Sequence, residues 1–102
     1  MPRSPRSREG RLVVPRMVYT DGFLDDAAAI WSDRVQGCLG RMLSAIEAFP
    51  EIGSPDIPAS IRAVYGIGVR KAVVEPFDLI YEYHPDTDTV IVYGLVPFRA
   101  AP

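Results

Sequence analysis

VRKAVVEPFDLIYEYHPDTDTVIVYGLVP, residues Val69 to Pro97, is the stretch on which the fold turns. It divides into three strand-like runs, VRKAVVE, FDLIYEY and DTVIVYGLV. The breaks fall at Glu75-Pro76 and at His84-Pro-Asp-Thr-Asp88, both rich in turn formers. In the middle run Phe77, Leu79, Tyr81 and Tyr83 share one phase while Asp78 and Glu82 hold the other. A period of two predicts a strand with one buried and one wet face. In the last run both phases are apolar, Val90, Val92 and Val96 against Ile91, Tyr93 and Leu95, so this strand is expected inside the sheet. SIRAVYG, just upstream, reads as a lead-in to an antiparallel three-strand meander.

Upstream of the meander the chain changes period. Val35, Leu39, Met42, Leu43, Ile46 and Phe49 recur at three and four residues, the clearest helical pattern present. Asp33 with Gln36 resembles a capping box for that helix, and Pro50 ends it. The loop Glu51–Pro58 follows. A shorter helix is expected from about Phe23 to Trp31, with Asp21 as its cap and Asp25 and Asp26 suited to its positive end. Its apolar stripe is Phe23, Ala27, Ile30 and Trp31. Before it, Leu12 to Tyr19 is β-branched but carries Pro15, which predicts an edge or broken strand. Residues 1–10, MPRSPRSREG, offer no large apolar side chain after Met1 and read as a disordered basic tail. The expected organisation is that tail followed by one domain, 11–102. Its class is α+β: an N-terminal strand and a two-helix hairpin packed on an antiparallel sheet that ends in the meander.

Charge narrows the function. The net charge of −2 hides an asymmetry, since five of eleven basic residues lie in the first sixteen positions. From Met17 onward six basic residues face twelve acidic ones. A body with that balance lacks the broad positive field of a nucleic-acid binder. No apolar run reaches the roughly 20 residues that span a bilayer, so no membrane partner is expected. A single cysteine, Cys38, forms no internal disulfide, and a cytoplasmic location is expected.

The element order, AIEAFPEIGS closing the second helix, SIRAVYG, and FDLIYEY followed by DTVIVYGLVPFR together resemble the RelE/ParE toxin superfamily of type II toxin–antitoxin systems over about residues 12–99. Phe49, Pro50 and Gly53 match the tail of that family's L-x-x-x-P-x-x-G pattern, and Phe77, Leu79, Ile80 and Tyr81 fit its tyrosine strand. Arg99 falls in the family's terminal basic motif. The departures point toward the ParE branch. Asp78 stands where RNA-cleaving members carry an arginine, Val73 where they tend to place a second lysine, and Pro97-Phe98 where a histidine is common.

The resemblance implies a toxin with a cognate antitoxin and no cofactor. ParE-type members inhibit DNA gyrase and serve plasmid stabilisation; RelE-type members cleave mRNA at the ribosome; a non-toxic antitoxin-binding member is the third alternative. A homodimer, or a heterotetramer with antitoxin, is an expected assembly. Enzyme status divides with the branches. If RNA is cleaved, Arg62, Lys71 and Arg99 are the catalytic candidates, with Tyr93 or Tyr83 assisting proton transfer. Arg62, Arg70, Lys71 and Arg99, the only cations after Arg41, are the target-binding candidates. Arg70 and Lys71 are expected on opposite sheet faces. Trp31 and Tyr83 are the candidate antitoxin anchors, although Trp31 reads first as core. His84, the sole histidine, reads as a turn residue, and no metal-ligand spacing is present.

Overall fold

A computed structural model of the chain describes residues 14–98, which leaves the tail at 1–10 and Arg99 outside the described residues. The order is β1 (Arg16–Tyr19), α1 (Asp21–Ala28), α2 (Asp33–Ala48), α3 (Ala59–Tyr65), β2 (Arg70–Val74), β3 (Phe77–His84) and β4 (Thr89–Pro97). The sheet runs β1-β4-β3-β2. β2, β3 and β4 form the expected antiparallel meander, while β1 joins the edge of β4 in parallel. Pro15 precedes β1, so its missing N–H removes nothing from the ladder; the strand begins at Arg16, whose N–H donates to Asp88 O. The doubly apolar β4 does lie between two neighbours.

Helix ends differ from expectation for local reasons. Thr20, not Asp21, caps α1: its hydroxyl accepts from Phe23 N–H at 3.1 Å. Ser32 caps α2 in the same way through Val35 N–H. Gln36 makes no capping box. Its amide instead donates to Ala27 O and Ile30 O, at 3.1 and 3.0 Å, closing on the C-terminal end of α1 and the linker beyond it. α1 therefore stops at Ala28, three residues early, and Trp31 is carried out of the stripe. It is 93% exposed, which overturns the core reading.

The second correction is a third helix. SIRAVYG, read as a lead-in without an element of its own, is helical: α3 occupies it, with Pro58 O accepting from Ile61 N–H and Arg62 N–H. α3 covers much of the face of β3 that alternation assigned to water. Two apolar clusters result. One joins Phe23, Val35, Leu39 and Ile46 of the hairpin to Leu79, Tyr81, Val90, Val92 and Leu95. The other joins Ile57, Ile61, Val69 and Ile80, with Tyr65, Tyr93 and Val96 against it. Asp78, assigned to the wet face, is only 8% exposed.

A β-bulge supplies the third correction. Tyr81 pairs with Val92 but Ile80 pairs with Gly94, so Tyr93 is an extra residue in β4. Beyond it the phase of β4 flips. Leu95 joins Val90 and Val92 under the hairpin, and Val96 joins Tyr93 on the opposite face, the reverse of strict alternation. The groups freed by the bulge are taken up by α1: Thr20 hydroxyl donates to Tyr93 O, and Asp26 Oδ2 accepts from Leu95 N–H, both at 3.0 Å. Asp26 therefore pins the bulge, whatever it adds to the helix dipole.

Candidate functional site

The loop after α2 is held by one phenol. Tyr81, fully buried in β3, donates its hydroxyl to Pro50 O and accepts from Gly53 N–H, each at 2.8 Å. A Cβ on Gly53 would come within 2.6 Å of that hydroxyl and 2.9 Å of Lys71 O, so only glycine fits. Ser54 then pairs with Lys71 as a short bridge beside β2. The spacing of Pro50 and Gly53 and the tyrosine of β3 are thus one feature, seen twice in the sequence. Burial raises the Tyr81 pKa, partly offset by the Gly53 hydrogen bond and the Arg70 charge.

Arg70 belongs to this loop clamp. Its guanidinium donates to Gly53 O at 2.8 Å and Glu51 O at 3.3 Å, with Glu51 Oε2 at 4.0 Å. Registered against Tyr81, it lies on the hairpin face; Lys71, registered against Ile80, lies on the other. The expected opposition of the two holds. Arg62, near the end of α3, donates to Ile57 O at 3.1 Å. Arg62, Arg70 and Lys71 are therefore not joined in one patch, and Arg99 lies outside the described residues. At the position where the resemblance puts an arginine, the buried Asp78 is flanked across the ladder by Val73 and Val96.

The face opposite the hairpin instead brings together residues that sequence reading treated singly. Tyr93 hydroxyl donates to Glu82 Oε1 at 2.9 Å, and His84 Nε2 lies 3.6 Å from the same oxygen. The other carboxylate oxygen abuts Gly68, where a Cβ would approach to 2.6 Å. His84 is the last residue of β3, paired with Thr89, and not part of the turn. Glu82 and His84 are two apart on one strand and so share a face, the signal that was legible beforehand. The bulge that turns Tyr93 toward them was not. Burial, then the Glu82 hydrogen bond and charge, raise the Tyr93 pKa. Its ring lies 6.0 Å from that of Tyr65, whose pKa burial and Asp26 also raise. Such a cluster can hold and pass a proton.

The two anchor candidates part company. Trp31 stands free on the α1–α2 linker, whereas Tyr83 packs against the hairpin-side core and donates its hydroxyl to Asp88 Oδ1 at 2.8 Å. Among the described residues no group of three or more His, Cys, Asp or Glu could hold a metal ion, and no helix is long and apolar enough to cross a membrane.

No family model matches the sequence, and no curated protein does. The fold does have a counterpart. It is similar to a chain in the crystal structure of the toxin–antitoxin complex RelBE2 from Mycobacterium tuberculosis, with a TM-score of 0.65 and 14% identity over 86% of this chain and 95% of that one. At that identity the likeness is one of architecture. A hairpin on one face of a β1-β4-β3-β2 sheet, with a short helix on the other, is the RelE-like α+β fold.

Proposed function

We propose that this chain is the toxin of a toxin–antitoxin pair and that it acts by capturing a protein, as ParE-type toxins do, with DNA gyrase as the target. The fold likeness supports the toxin assignment. The site chemistry supports the branch. A phosphate-cleaving centre stabilises developing negative charge with clustered cations. Here the central position is a buried carboxylate, Asp78, between Val73 and Val96, and Arg70 is spent on the Glu51–Gly53 loop. That single observation carries the reading. The cognate antitoxin is then a segment that folds on this chain as it binds. Purified gyrase supplies the test: the chain should block supercoiling of relaxed plasmid, and added antitoxin should restore it. Undisturbed supercoiling together with cut mRNA would overturn the reading.

One observation favours a second reading, ribosome-dependent mRNA cleavage. Glu82, His84 and Tyr93 share a face with Lys71, which puts a proton acceptor, a proton donor and one cation on the same surface. Cleavage by the 2′-hydroxyl needs such groups and no metal. Primer extension on translated mRNA, with Glu82→Gln and His84→Gln as controls, separates the two.

A further inference from the structure

On the face opposite the hairpin, a row of side chains runs across three strands. Arg16 of β1 registers with Thr89 of β4, and Thr89 with His84 of β3. Laterally paired residues share a sheet face, so all three stand on the face of the Glu82–His84–Tyr93 cluster. Met17, the next residue, packs with the hairpin-side core, which fixes the phase of β1 independently. At ordinary strand spacing the backbones of Arg16 and His84 are roughly 10 Å apart. α3 covers the other end of this face, through Ile80, Tyr93 and Val96, and Arg16 is exposed. Of the described cations, Arg41, Arg62 and Arg70 are engaged by Cys38 Sγ or by carbonyls. The side chains of Arg16, Arg34 and Lys71 have no hydrogen-bond or ion-pair partner among the described residues. Two of those three, Arg16 and Lys71, flank the cluster from opposite edge strands.

We infer that this open end of the face binds the sugar–phosphate backbone of single-stranded RNA. Arg16 is the contact built into the fold, and the arginines that precede it in sequence are further contacts along the strand. Arg3, Arg6, Arg8 and Arg11 lie upstream of Arg16 with one acidic residue, Glu9, among them, so the cations that the body lacks are joined to the sheet through Arg16. Arginine suits the task, since its planar fork engages phosphate oxygens bidentately. The row offers a guanidinium, a hydroxyl and an imidazole, and residues 1–10 hold no large apolar side chain after Met1. An acidic protein partner would draw its affinity from buried anchors, which this row and that segment lack. A repeating phosphate chain needs none, because charge and counterion release suffice. Asp86 and Asp88 in the adjoining turn weaken the positive field, so binding is modest and falls steeply with salt. The inference deepens the second functional reading and rests on it only for RNA being the strand.

Fluorescence anisotropy of a labelled RNA strand of about 12 nucleotides, titrated with the full chain at several salt concentrations, tests the inference. Contacts from the five arginines up to Arg16 give a slope of log K against log salt of about −3.5. Arg16→Gln should reduce the magnitude of that slope by about 0.7, and Arg3→Gln, Arg6→Gln and Arg8→Gln combined by about 2. Arg34→Gln, which removes an exposed cation on α2, should leave it unchanged. Absence of salt-dependent binding would overturn the inference. So would parental binding in Arg16→Gln, an equal loss in Arg34→Gln, or displacement of the RNA by polyglutamate at equal charge concentration. Binding and cutting are read separately. RNA bound while translated mRNA stays uncut removes the second reading and leaves the inference; mRNA cut without salt-dependent binding does the reverse.

Discussion

The two faces of the sheet are built to different standards. Under the hairpin, α1 and α2 lay Phe23, Val35, Leu39 and Ile46 on seven buried strand residues, and the buried Tyr81 hydroxyl has both an acceptor and a donor partner. On the other face the seven-residue α3 has no side-chain cap, and the covering cluster is four buried residues. That thinner face tolerates what the first excludes: Asp78 without a hydrogen-bond partner among the described residues, and Glu82, His84 and Tyr93 gathered on one carboxylate oxygen. The hairpin face supplies stability, and the α3 face is free to carry chemistry or contacts.

The sharpest way to break this contrast is a pair of core truncations. Ile46→Ala, at a fully buried position under the hairpin, should cost about 2–5 kcal/mol, because the packed helices collapse little onto the cavity. Ile61→Ala on the short α3 should fall near the low end of that range, about 2 kcal/mol, since a single uncapped helix can settle inward. Urea unfolding measures both. Equal losses would mean that the faces are energetically alike.

Tyr81→Phe comes next. It keeps the ring packed and removes only the hydroxyl, leaving Pro50 C=O and Gly53 N–H without their partner, at a cost of about 1–3 kcal/mol. Thermal unfolding reads the loss, and faster proteolysis within residues 49–54 should accompany it. A variant as stable as the parent would show that the loop is held by Arg70 and the Ser54–Lys71 bridge alone.

These residues also mark how far the sequence could be read. The meander, the central β4, the edge position of β1 and the long α2 were legible because each has a clean period or a proline at a telling place. The opposition of Arg70 and Lys71 followed from strand period alone. What escaped reading depends on contacts distant in sequence. The bulge at Tyr93 is paid out by Thr20 and Asp26, some seventy residues upstream. α3 is seven residues long with β-branched Ile61 and Val64, too short and too ambiguous for helical period to decide. Trp31 left the core because Gln36 ends α1 early. The Glu82–His84–Tyr93 grouping needed the bulge, so strand period alone exposed two of its three members.

A smaller effect is expected from alkaline pH. The Tyr81 and Tyr93 phenols both have pKa values raised in the fold, first by burial, so the folded chain holds these protons more tightly than the unfolded one. Stability from these groups is complete below the unfolded tyrosine pKa and is lost as pH rises through the raised folded values. Unfolding free energy should therefore fall above the ordinary value of 10.0, and less steeply in Tyr81→Phe. A flat profile in that window would remove burial as the cause.

The smallest change in stability should come from His84→Gln, and it separates the two faces most directly. His84 is partly exposed, and its contact with Glu82 is 3.6 Å, long for a hydrogen bond. Its replacement should shift stability by no more than about 0.5 kcal/mol. If the chain works by protein capture, gyrase inhibition should survive the change as well. If it cleaves mRNA through this face, removing one proton carrier should lower cleavage by about 10²–10⁴-fold while the fold is untouched. Glu82→Gln distinguishes a chemical role from a positional one, because it keeps an acceptor for the Tyr93 hydroxyl but abolishes the carboxylate. Loss of cleavage in both variants with unchanged unfolding would assign function to the α3 face as an enzyme site; retention in both would leave that face to binding alone.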